Sequence, residues 1–234
     1  MRQIIGIFGQ QQHGKTTLAK RLCKDLNRQL DSILGFMPNV QCWTVESTIE
    51  KAKTIMRLVY GLTPEELESW KLKDERPPGW NMTMRQALRH LTTECFEAIC
   101  PSTWMDCLFK GKGNQIFDNG RKITEAVQTK EAGGVTILIY RPEMKNYHQH
   151  ETELQMRLMY DVCFTREGEQ IDRHDAFDFY FPNTKDLDFL NSWCQSAVPS
   201  ILNLLRTRRL ANEYWPDGTH PDPMGSVAIT ESSP

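Results

Sequence analysis

The residues Gly9-Gln10-Gln11-Gln12-His13-Gly14-Lys15-Thr16 constrain this chain more than any other feature. They satisfy the pattern G-x-x-x-x-G-K-[ST] in full, and the flanks supply the context the pattern needs. Residues 3–9 form a short apolar run ending in glycine, as a buried parallel strand does. Behind the loop, Leu18, Leu22, Leu26 and Leu30 recur on one helical face. A strand–loop–helix unit of this kind wraps backbone N–H groups around a polyphosphate at the positive end of a helix. Lys15 is expected to reach the β- and γ-phosphates and Thr16 to hold Mg²⁺, while Gly9, Gln12, His13, Gly14 and Thr17 line the nucleotide site. ATP and Mg²⁺ are the cofactors this implies. His13 reads as a solvent-facing loop side chain, because nothing nearby in sequence completes a metal or base site.

Composition narrows the surroundings of that loop. The chain has 234 residues, 39% hydrophobic and 25% charged, with 14 glycines and 12 prolines, which excludes collagen-like and wholly disordered readings. No run approaches the ~20 apolar residues of a membrane span, and the first residues lead straight into a strand. A soluble, cytoplasmic protein is expected (host cytoplasm, if a phage encodes it). With 28 basic against 30 acidic residues, a surface that grips nucleic acid throughout is disfavoured. Seven cysteines without a C-x-x-C pair read as buried reduced thiols.

The remaining pattern alternates strands and helices. Residues 40–45 read as a second strand and 46–60 as a helix. Thr63-Pro64-Glu65-Glu66 and Thr83-Met84-Arg85-Gln86 are capping boxes. The first opens a short helix ending before Arg76, and the second a helix to about Ile99 with Leu88, Leu91, Cys95 and Phe96 as its apolar side. Residues 103–108 form another short helix. Residues 115–118 and 135–140 are strands, with a helix over 122–132 between them. Residues 141–175 are polar and unassigned. A last strand spans 177–181, Asn183 follows in a turn, and a closing helix over 186–205 is expected to kink or be interrupted at Pro199. Residues 212–234 carry prolines and acids and read as a flexible tail. The expected architecture is a three-layer α/β fold with a mostly parallel sheet. One domain spans residues 1–211, with a helical insertion at about 46–113 and a lid region at about 141–175.

Several segments in order resemble the bacteriophage deoxynucleoside monophosphate kinases. Arg85-Gln-Ala-Leu-Arg-His-Leu-Thr-Thr-Glu94 followed by Pro101-Ser-Thr-Trp104 is similar to that family's substrate-side helix. Arg121-Lys-Ile-Thr-Glu125-Ala126, the strand ending in Arg141-Pro142, His150-Glu-Thr-Glu153 and Pro182-Asn183 follow in the family's order. The resemblance implies a nucleoside monophosphate kinase-like P-loop fold and phosphoryl transfer to a small nucleotide. It makes Arg85, Arg89, Trp104, Arg121, Glu125, His150 and Glu153 candidates for acceptor binding. Lys15, Arg121, Arg141 and Asp118 become candidates for catalysis, Thr16 and Asp118 for metal binding, and Asn183 for the cofactor. The chemistry is reasonable, since a dianionic acceptor lying in line with the γ-phosphate needs arginines around it.

Departures fall on the acceptor side. Asn119 stands where the family has aspartate, with Asp118 one residue earlier. Arg89 replaces a glutamine and Thr92 a glycine, and the segment 154–181 is long. Related phage kinases that phosphorylate 5-hydroxymethyluracil within DNA therefore give the alternative. Arg89, the stretch Lys110-Gly-Lys112-Gly113 and the cluster Arg206-Thr-Arg208-Arg209 would suit a DNA acceptor, and Trp70, Trp80 or Trp104 would stack on a base. A non-catalytic, nucleotide-dependent binding module and a homodimer both stay open.

Overall fold

The computed structural model describes residues 2–34, 42–69, 74–144, 151–184 and 186–214. Five strands form one sheet: β1 (Ile4–Phe8), β2 (Trp43–Glu46), β3 (Asn114–Gly120), β4 (Val135–Tyr140) and β5 (Phe179–Pro182). Their order is β2-β3-β1-β4-β5 and every pairing is parallel. Alternation along β1 explains the layering. Ile5 and Ile7 point to one face, where α1 (Lys15–Leu34) supplies Leu18, Leu22 and Leu26, and α8 (Leu187–Tyr214) supplies Leu190, Cys194, Val198 and Ile201. Ile4 and Phe8 point to the other. There α5 (Thr103–Phe109), α6 (Ile123–Glu131) and α7 (Glu151–Cys163) bring Met105, Leu108, Ala126, Met156 and Met159. The three-layer α/β expectation holds, with a sheet that is wholly parallel.

Between β2 and β3 lie α2 (Glu50–Tyr60), α3 (Pro64–Glu68) and α4 (Met84–Arg89), which share a small core of Met56, Leu67, Met84 and Ala87. Both capping boxes form, with Thr63 and Thr83 each accepting from the backbone three residues on. The helix after Thr83 differs from its expected course: past Arg89 it winds as a π-helix over His90–Glu97. The wider winding advances the inward face by about five residues instead of four, so Thr92 is buried while Cys95 is exposed. Cys42 and Cys100 are exposed too, which corrects the expectation of uniformly buried thiols, and all seven are free.

Other boundaries shift. Residues 46–49 belong to β2 and a turn, so α2 starts later than the expected helix. The unassigned segment after Arg141 contains α7, whose Met156, Tyr160 and Cys163 are buried in the core. Through these residues α7 packs into one layer of the fold. Helix α8 runs through Pro199, which lies on the exposed face, where water can bond the freed carbonyl. It continues to Tyr214, past the expected start of the tail, and residues 215–234 lie outside the described residues. Among the described residues no helix is long and apolar enough to cross a membrane.

Candidate active site

Because β1 pairs with β3 on one side and β4 on the other, the loop leaving β1 emerges between the carboxyl ends of its neighbours. Open parallel sheets bind ligands at such a point. Gly9 N–H donates to the Gly120 carbonyl at 3.2 Å, fixing the loop's start against β3. A Cβ on Gly9 would lie 2.7 Å from the Ile139 carbonyl oxygen, so no larger residue fits. Gly14 has φ +93°, and a Cβ there would meet the Asn183 amide at 2.7 Å. Close approach thus dictates Gly9, and a positive φ dictates Gly14.

Lys15 is buried and its Nζ donates to the carbonyls of Gly9 and Gln10 at 2.7 and 2.6 Å. It is the first residue of α1, so the cation and the helix N-terminus share one spot. Thr16 is exposed beside it, and its hydroxyl donates to Asp118 Oδ2 at 2.5 Å. Asn119 turns elsewhere. Its amide donates to Thr48 Oγ1 at 2.5 Å and its Oδ1 accepts from Thr48 N–H at 2.9 Å, tying the end of β3 to the turn before α2. Of the two neighbouring residues, Asp118 is the one that contacts the phosphate loop. A hydroxyl and a carboxylate there are the hard oxygen donors Mg²⁺ takes alongside phosphate and water. Among the described residues no cluster of three His, Cys, Asp or Glu side chains forms a metal site of its own.

His13 contradicts its expected exposure. The residue is fully buried, stacked on Tyr160 with ring centroids 5.1 Å apart and tilted against Tyr140 at 5.9 Å. Its Nδ1 accepts the Arg141 N–H at 3.2 Å, and its carbonyl accepts the Asn183 amide at 2.9 Å. Burial, and after it the Lys15 charge, press the imidazole pKa down to about 4. The tyrosines do the burying; no local sequence signal marks Tyr160, yet its hydroxyl accepts Gln10 N–H at 2.6 Å. Asn183 therefore supports the loop from behind, and Gln12 holds a positive φ of 65° at its exposed crest. Thr17 is exposed on the first turn of α1.

The acceptor-side candidates scatter more. Arg121 follows β3, half-buried. Glu125 caps α6, accepting N–H bonds from Arg121 and Lys122 at 2.9 and 3.1 Å, so it fixes the Arg121 backbone. Burial pushes its carboxyl up against those bonds. Arg141 ends β4 with an ion pair to Glu143 at 3.6 Å. Arg85 lies exposed on α4, bonded to Asp74 at 2.8 Å, and Arg89 is exposed at that helix's end. Trp104 is buried against Phe96, and its Nε1–H donates to the Thr92 carbonyl at 3.2 Å. This removes it as a stacking surface for a base and makes it a packing residue. Trp80 packs on Tyr60. His150 and Trp70 lie outside the described residues, as does the Glu153 side chain, although Glu153 belongs to the first turn of α7.

Both basic runs once weighed as DNA contacts sit at the opposite end of the sheet. Lys110 and Lys112 precede the start of β3, and Arg208 holds Asp178, just before β5, in a bidentate pair at 2.7 and 2.8 Å. Thr136 and Lys130 also bind that carboxylate. Burial alone would raise the Asp178 carboxyl, but Arg208 and these neighbours hold it below its ordinary value.

No protein-family model matches the chain, and no curated protein matches it. Neither comparison supports the resemblance to phage nucleotide kinases. Among solved structures, the shikimate kinase from Acinetobacter baumannii in complex with shikimate is similar at 13% identity over 87% of this chain and 94% of that one, with a TM-score of 0.40. The shikimate kinase from Bacteroides thetaiotaomicron is similar at 12% identity over 88% of this chain and 98% of that one, with a TM-score of 0.36. Likeness this distant carries no information on the acceptor.

Proposed function

We propose that this chain is an ATP- and Mg²⁺-dependent phosphotransferase that moves the γ-phosphoryl group to a deoxynucleoside monophosphate, giving the diphosphate and ADP. The observation that carries the reading is the 2.5 Å contact of Thr16 with Asp118 beside a complete phosphate loop that already holds Lys15 at its base. Thr16 and Asp118 would hold Mg²⁺, which when bound offsets charge on the phosphate oxygens. Lys15 and the N-terminus of α1 hold the β- and γ-phosphates, while Arg121 and Arg141, each just past the end of a strand flanking β1, offset charge around the transferring group. Arg85, from the insertion, binds the acceptor phosphate. Catalysis is by positioning and charge neutralisation, without a covalent intermediate on the protein.

A free mononucleotide is favoured over a DNA acceptor because the two basic runs lie at the far end of the sheet from the phosphate loop. The decisive assay offers Mg·ATP with a panel of deoxynucleoside monophosphates and, separately, hydroxymethylated DNA across a salt series. At least one mononucleotide should be phosphorylated with a shallow salt dependence. A DNA acceptor would add ~0.7–0.9 to the log–log salt slope for each phosphate contact. Phosphorylation of DNA alone with a steep slope would reverse the choice.

A further inference from the structure

We propose that His13 is a positioning residue that seats the Arg141-bearing turn on the phosphate loop. Its consequence for catalysis rests on the phosphotransferase reading; the latch itself does not. The turn runs from Arg141 to Met144 and closes with Met144 N–H donated to the Arg141 carbonyl at 3.1 Å. His13 meets the turn at its first amide, since Nδ1 accepts Arg141 N–H at 3.2 Å. With Nδ1 as acceptor the ring proton sits on Nε2. That atom is buried and makes no hydrogen bond among the described residues, although the Ile139 and Met144 carbonyls lie close enough to favour a proton on the ring.

Leaving a buried donor unpaired is costly, and a phenylalanine would fill the same place against Tyr140 and Tyr160 without that cost. What the histidine adds is the Nδ1 acceptor. The ring is suited to that part. It stacks on Tyr160 and is tilted against Tyr140, and the charges that bear on it are Lys15 and Arg141, so protonation is opposed and Nδ1 stays an acceptor at neutral pH. The loop side is equally fixed. Asn183 donates its amide to the His13 carbonyl at 2.9 Å and its N–H to the Tyr140 carbonyl at 2.7 Å. Donor loop, β4 end and β5 end thus meet at one residue, Arg141 through the imidazole and Asn183 through the main-chain carbonyl. Arg141 swings its guanidinium from a main-chain point that His13 holds.

The test follows hydrogen exchange of the Arg141 amide by NMR in wild-type protein and in His13→Phe, His13→Asn and His13→Gln. Asparagine keeps an acceptor near the Nδ1 position; glutamine stays polar but moves it outward, and serves if the phenylalanine variant does not fold. Exchange should rise roughly tenfold in His13→Phe and His13→Gln and return towards wild type in His13→Asn. Wild-type exchange in the first two would overturn the proposal. In phosphoryl-transfer kinetics, His13→Phe should lower kcat roughly 10–100-fold with the KM for ATP little changed, and add almost nothing in an Arg141→Ala background. Additive losses would overturn the link to Arg141. Failure of wild-type protein to bind Mg·ATP would instead sink the phosphotransferase reading, leaving the exchange data to decide the latch.

Discussion

The phosphate loop and the helical insertion are built on opposite plans. Around the loop, residues distant in sequence converge: Tyr160 on Gln10, Asn183 and Arg141 on His13, Asp118 on Thr16. All but the exposed Thr16–Asp118 bond are buried or half-buried, and they are anchored on strands and on helix α7, which share the main core. In the insertion, charged side chains bond close by on the surface. Arg85 pairs with Asp74, and His90 Nδ1 lies 2.5 Å from Glu94, all at exposed positions around a small core of their own. Exposed pairs like these contribute only ~0–1 kcal/mol. On the proposed function, a donor half preformed to this degree needs little reorganisation to hold ATP, whereas the insertion, as the proposed acceptor half, can re-form around its substrate. The π-helical turn at His90–Glu97, a winding frequent at functional sites, gives it a place to do so.

The contrast is open to being broken. The largest expected effect is that of Lys15→Ala, which should cut turnover by about a thousandfold or more, because a fixed cation in a dry site is worth several kcal/mol in the transition state. Near-normal transfer measured in steady-state assays would remove the phosphate-loop reading. Next comes the pair at the end of β3. Asp118→Asn should lower kcat by roughly a hundredfold and blunt the Mg²⁺ dependence, whereas Asn119→Ala, which loses the Thr48 bonds, should act mainly on stability, read by denaturant titration.

A pH effect of similar size should appear in stability. His13 has a folded pKa of about 4 against an ordinary 6.5, so the unfolded chain binds its proton first on acidification. Its contribution is present above pH 6.5 and lost as pH falls towards 4, on the order of 3 kcal/mol. The difference in unfolding free energy between wild type and His13→Asn, followed across that window, isolates this part from the carboxylates. A parallel pair of curves would contradict it. The smallest effect belongs to the insertion. Arg85→Ala should raise acceptor KM by about tenfold, with kcat and Mg·ATP binding unchanged. A loss confined to kcat would move Arg85 to the transferring group.

What could be read from the sequence follows the same division. The loop, its strand and its helix were legible because close backbone approach dictates Gly9, a positive φ dictates Gly14, and periodicity dictates the leucines of α1. The capping boxes at Thr63 and Thr83 were legible because each is a local exchange of hydrogen bonds. His13 was not, since its burial is done by tyrosines that reach it only once β4 and α7 have packed. Trp104 carries a face that could stack on a base, although packing is the more frequent use of tryptophan, and in the fold Phe96 and the Thr92 carbonyl enclose it. The π-helix left no mark in a pattern read at 3.6 residues per turn, and Cys95 was misplaced for that reason.

Mg·ATP binding in the absence of any acceptor, measured by titration calorimetry, tests the preformed donor site most directly. Wild-type protein should bind one Mg·ATP per chain, and chelating Mg²⁺ or replacing Lys15 by alanine should weaken binding by at least about tenfold, the equivalent of one good charged contact. Binding that is indifferent to both Mg²⁺ and Lys15, or that appears only when an acceptor is added, would contradict it.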